Sequence, residues 1–129
     1  MISLALAAIL AAAQPVGNCS DALPQQEMNR CADEDFRRAD AELNQVYQRA
    51  IGAAREADAE LEPDDPRPKY EPTLRAAQRA WVAFRDAQCD WEGMQEARGG
   101  SMEPMVVSGC MEQMTRARSQ QLTPTEAPQ

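Results

Sequence analysis

Between Pro24 and Leu61 the apolar side chains return at intervals of three and four: Met28, Cys31, Ala32, Phe36, Ala39, Leu43, Val46, Tyr47, Ala50, Ala54, Ala57 and Leu61. Only a helix gathers such positions into one stripe. Asp21 is placed to cap its start, and Pro24 is tolerated in a first turn, where a backbone N–H has no helical partner. At about 1.5 Å per residue the helix runs roughly 55 Å, longer than a compact globule of this mass, so an elongated molecule is expected.

Four prolines, Pro63, Pro66, Pro68 and Pro72, surround Asp64 and Asp65 and break the helix. A second helix follows, with Tyr70, Leu74, Ala77, Trp81, Phe84, Gln88 and Trp91 spaced alternately four and three. That seam is expected to pack on the first helix, folded back antiparallel. Gly99-Gly100 then ends the helix, and Ser101 can cap a third one with Pro104 in its first turn. The third helix carries Met102, Met105, Val106, Cys110, Met114 and Ala117 and stops near Leu122. Residues 123–129 lack apolar anchors and are expected to be disordered. No stretch alternates as a strand. The fold class is therefore all-α: an elongated antiparallel helical hairpin with a third, shorter helix.

Residues Ile2 to Ala13 are an unbroken run of apolar and small side chains. The run reads as a signal peptide, residues 1–13, cleaved after Ala13, although no Lys or Arg precedes it. It is shorter than the roughly 20 apolar residues of a spanning helix, and no later segment is apolar enough for that role. Asn18 stands where a small residue would precede a lipid-modified Cys19, which argues against an anchor. Export makes two disulfides the expectation for Cys19, Cys31, Cys89 and Cys110. A zinc site would want closely spaced cysteine pairs instead. Cys89 and Cys110 lie about ten residues on either side of Gly99-Gly100, so an antiparallel hairpin brings them face to face. Cys19 is then left for Cys31 by elimination, with Cys19 to Cys89 or to Cys110 as alternatives.

The net charge of −8 attracts a basic partner and repels nucleic acid. Most of the excess is in the first helix, where Asp21 to Glu62 holds eleven acids against five arginines. The chain has no histidine, which removes the commonest general base and the usual Ser/His and Cys/His nucleophile systems. There is no phosphate loop or dinucleotide fingerprint. No enzyme, cofactor or metal is expected.

Two constellations stand out. Asp40, Asn44 and Tyr47 project from one side of the first helix, and Trp81 and Arg85 from the second. Folding the hairpin brings them together as a polar clamp, with Arg85 bridging to Asp40 or Asn44. The other is acidic: Glu56, Asp58, Glu60, Glu62, Asp64 and Asp65 crowd the hairpin tip. Acids at a helix C-terminus oppose the helix dipole, so Glu60, Glu62, Asp64 and Asp65 are candidate contacts for a basic partner. The methionines around the third helix read as core filling.

An ordered set of motifs carries a resemblance. Cys19 is followed by Glu27-Met28-Asn29-x-Cys31 and Ala39-Asp40-x-Glu42-Leu43-Asn44-x-x-Tyr47. Then come Leu74-Arg75-x-Ala77-Gln78-Arg79-x-Trp81-x-x-Phe84-Arg85-Asp86-x-x-Cys89, Gly99-Gly100-Ser101, and Cys110 before Thr115-x-x-Arg118-x-x-x-Leu122. Over residues 19–122 this resembles the LprI-like lysozyme-inhibitor domain of bacterial envelope proteins. The resemblance implies an all-helical, disulfide-containing, periplasmic or surface protein whose named activity is inhibition of lysozyme; with the acidic charge, the expectation is a periplasmic or secreted protein that binds a basic protein such as lysozyme. It carries over no inhibitory residue, and the Pro-rich first turn departs from its pattern. The rival expectation is a non-catalytic structural or adaptor protein of the envelope without lysozyme activity. The sequence does not assign an oligomeric state.

Overall fold

The computed structural model describes Cys19 and residues 23–124; the expected signal peptide, the Asp21 cap and residues 125–129 lie outside them. Three helices account for most of this span, α1 (Gln25–Ala59), α2 (Tyr70–Ala97) and α3 (Glu103–Leu122), with no strand among the described residues. At about 1.5 Å per residue, the 35 residues of α1 extend roughly 50 Å.

Each boundary has a local cause. The Pro24 carbonyl accepts the Met28 N–H at 3.0 Å, so α1 starts directly after its proline. At the far end Glu60 N–H bonds the Ala57 carbonyl and Leu61 N–H that of Asp58, both at 3.2 Å, in a tightened last turn. The start of α2 is capped from α1: the Asp58 carboxylate accepts the backbone N–H groups of Tyr70 at 2.6 Å and Glu71 at 3.0 Å. An acid unfavourable for the α1 dipole thus serves the dipole of α2. Gly99 turns the chain with φ +73°, a left-handed geometry that suits glycine. Ser101 is not the cap of α3; Met102 precedes the helix, and the Ser101 carbonyl instead accepts a hydrogen bond from Asn29 of α1 at 2.9 Å.

The hairpin of α1 and α2 is antiparallel, and α3 returns antiparallel to α2, alongside α1. Most of the packing runs through α3, which touches α1 most extensively and α2 next, while the direct α1–α2 contact is the least. That redistributes the expected α2 seam. Leu74, Trp81 and Gln88 turn inward, with Arg85 and Cys89 buried beside them, whereas Tyr70, Ala77, Phe84 and Trp91 face outward. The seam belongs one step further round the helix, because two neighbours flank α2 rather than one.

The core is narrow: Ala39, Leu43, Ile51, Ala54 and the Cys89–Cys110 pair. Both disulfides are formed, Cys19–Cys31 and Cys89–Cys110, with Cα separations of 5.7 and 5.4 Å. Both lie in the half of the molecule nearer Gly99-Gly100. Met114 packs its sulfur 3.6 Å from that of Cys89 and so fills the core beside the bridge. Gly93 allows the helices to close up there, since a Cβ on it would stand 2.5 Å from Val107 Cγ2.

Candidate functional site

The three helices meet at one arginine. Phe36 and Asp40 stand one turn apart on α1, Trp81 and Arg85 one turn apart on α2, and Thr115 and Arg118 three residues apart on α3, so each pair shares a face. The Arg85 side chain is only 8% exposed. Its guanidinium lies 5.2 Å from the centroid of the Phe36 ring and 5.1 Å from that of Trp81. Nη1 donates to Thr115 Oγ1 at 3.3 Å and reaches Asp40 Oδ1 at 3.5 Å. Asp86 completes the set, with Oδ1 accepting from Nε at 3.0 Å. Arg118 lies over the same Trp81 ring at 5.8 Å and donates to Gln78 at 2.9 Å; burial draws its pKa below the ordinary guanidinium value.

The sequence-derived clamp is assembled in part. Asp40, Trp81 and Arg85 come together. Asn44 is exposed and is not among the partners of Arg85, and Tyr47 lines a separate groove of about 470 Å³ with Arg75, Gln78, Arg79 and Val82. Sequence reasoning missed Phe36 and Thr115. Phe36 read only as an apolar stripe position, and Thr115, wholly buried, carried no periodic signal of its own.

At the Pro-rich end the acids divide. Glu60, Glu62 and Asp64 are exposed. Asp65 is bound locally: its carboxylate accepts from Arg67 Nη2 at 2.6 Å and from the Arg67 backbone N–H at 3.0 Å. Those bonds hold its carboxyl below the usual carboxylate range. Nearby, the Arg75 guanidinium, with Arg55 on the other side, does the same for Glu71.

Chemically, the Arg85 junction joins a delocalised cation to two rings and a neutral hydroxyl drawn from all three helices. Elsewhere Cys19, Cys31 and Asp35 place their ligand-type atoms within 4.8 Å of one another. The two sulfurs are bonded together, so that group offers no thiolate to a metal.

The family described as "Lysozyme inhibitor LprI" matches residues 18–122. The chain belongs to the LprI family. Its matched span takes in both disulfides, the Arg85 junction and the acidic tip, and it ends on the last residue of α3. An uncharacterized protein of Rhizobium meliloti (strain 1021) is similar: 48% identical over 114 residues, covering 86% of this chain and 80% of that one. No solved structure matches. Among the described residues no helix is long and apolar enough to cross a membrane.

Proposed function

We propose that this LprI-family chain is exported to the periplasm or beyond and there binds a lysozyme and inhibits it, without chemistry of its own. Family membership over residues 18–122 is the observation that carries the reading. Two oxidised cysteine pairs accord with an oxidising compartment. The charge of −8 suits a basic target, drawing it in before contact. Glu60, Glu62 and Asp64 are the first contacts in this proposal; Asp65, engaged by Arg67, supports their loop. Asp40, Trp81 and Arg85 act as the register clamp behind them, and Asn44 and Tyr47 lie beside it.

The test is direct. Purified protein without residues 1–13 should slow lysozyme digestion of cell walls, most strongly at low salt. Failure to inhibit several lysozymes at large molar excess would leave an envelope binding protein with another partner. Glu60→Gln, Glu62→Gln and Asp64→Asn combined should lower the association rate severalfold and leave dissociation nearly unchanged. An unaltered association rate would remove the tip from the interface.

A further inference from the structure

The outward face of α2 is apolar along most of its length. Tyr70, Phe84 and Trp91, spaced by multiples of seven, are 56%, 60% and 54% exposed. Beside them Ala76, Ala80, Ala83 and Ala87 are exposed as well, and Met94 closes the line at 39%. A soluble helix normally sets charge on such a face. Here the strip from Tyr70 to Met94 runs 25 residues, about 36 Å at the α-helical rise, and its exposed charges are only Asp90 and, at the rim, Arg79 and Asp86. The three half-exposed rings alone keep on the order of 300 Å² out of contact, enough to mark an interaction surface.

We propose that this face pairs with the same face of a second copy, the two α2 helices lying antiparallel about a two-fold axis near Val82. Self-complementarity carries the proposal. In that register position n meets position 164 − n, or nearly so: Phe84 falls on Ala80 and Trp91 on Thr73, with Ala83 next to its own copy at the axis, while Tyr70 and Met94 meet as a large pair at each end. Interfaces of helices fill best when large and small alternate in this way. Charge agrees independently. Arg79, exposed at the rim and in no ion pair among the described residues, comes opposite Asp86 of the other copy, and the symmetry makes that contact twice. Asp86 is half-exposed; its Oδ1 is held by Arg85 and its Oδ2 is left to accept from Arg79.

Direction follows from the acidic tips. Parallel pairing would set two copies of Glu60, Glu62 and Asp64 side by side. Antiparallel pairing sends them to opposite ends, separated by several times the roughly 8 Å screening length of physiological salt. The face is nearly neutral and the tip acidic, so a basic enzyme and a second copy select different surfaces. Self-pairing therefore stands apart from the lysozyme reading. The strip is at the small end of stable interfaces, so the pairing is expected to be reversible.

Sedimentation of the chain without residues 1–13, from nanomolar to high micromolar concentration, tests this. A reversible monomer–dimer equilibrium is expected, and Ala83→Glu, which sets two carboxylates together at the axis, should abolish it while far-UV circular dichroism stays unchanged. The decisive experiment is a mixture. Arg79→Glu alone and Asp86→Arg alone each create two like-charge contacts and should weaken self-association roughly tenfold. Mixed one to one, the two variants restore both opposite-charge contacts and should form a heterodimer near wild-type affinity. A monomer at every concentration, a dimer indifferent to Ala83→Glu, or a mixture no tighter than its components would each overturn the proposal. So would a monomer whose capture of lysozyme is lost on Ala83→Glu, because the face would then belong to the enzyme.

Discussion

Arg85→Ala is the sharpest test of how the three helices are held. The side chain is nearly fully buried between two rings, so its contacts are weakly screened. Each cation–π contact contributes about 1 kcal/mol when largely desolvated. Loss of the aliphatic stem from the Phe36–Trp81 gap costs roughly another 1 kcal/mol. The Thr115 hydroxyl, with no exposure, loses its guanidinium partner; it can turn to a carbonyl of its own helix, which limits that loss to below about 1 kcal/mol. Asp40 and Asp86 are about half exposed and add little. Against this, removing a buried cation relieves about 1 kcal/mol or more of desolvation. The net expectation is a destabilisation of about 2 kcal/mol, read by urea unfolding followed by circular dichroism. Arg85→Met, which keeps the stem, should lose about half as much. In a double-mutant cycle, Arg85→Ala and Trp81→Leu should couple by about 1 kcal/mol. Additive losses, or an Arg85→Ala cost below about 0.5 kcal/mol, would show that the guanidinium does not hold the bundle.

Gly93→Ala forces a methyl against Val107, a stiff β-branched side chain, and should cost about 1–2 kcal/mol despite the better helix propensity of alanine; Val107→Ala in the same chain should recover most of it. Urea midpoints of the two variants decide whether that contact is the cause. Acid should loosen the molecule: Asp65 and Glu71 titrate below the usual carboxylate range in the fold, so their contribution is complete above pH about 4 to 5 and fades as pH falls through the lower folded values. Glu71→Gln should flatten the fall of melting temperature below pH about 4, and an unchanged acid limb would exclude it. Replacing Cys89 and Cys110 by alanine opens a 21-residue separation and should cost about 3 kcal/mol, measured at constant pH against the parent chain.

How far the sequence foretold this structure depends on which residues signal by period and which by company. The helices, their glycine and proline boundaries and the Cys89–Cys110 bridge follow from spacing, because i, i+3, i+4 recurrence and a hairpin turn are local facts. The orientation of α2 does not. Tyr70, Ala77, Phe84 and Trp91 obey the same four-three rhythm as the inward Leu74, Trp81 and Gln88, and an apolar period cannot tell a face buried by α3 from one turned to solvent. Asp58 was legible only as one acid in a cluster, since its use as a cap for another helix needs the fold. Helix faces alone place Arg85 near Asp40, and the two stand 3.5 Å apart, but Thr115 arrives from α3, whose place against both partners no local pattern encodes.

Both disulfides lie toward the Gly99-Gly100 end, and the opposite end, with Ile51, Ala54 and the Pro-rich loop that joins α1 to α2, has no disulfide. The molecule is therefore built like a tuning fork, with a stiff handle and compliant prongs. Amide exchange should run fastest from about residue 55 to residue 72 and slowest around Cys89. Whatever meets the acidic prongs meets the part of the chain that can yield to its shape, while the handle keeps the helices from separating.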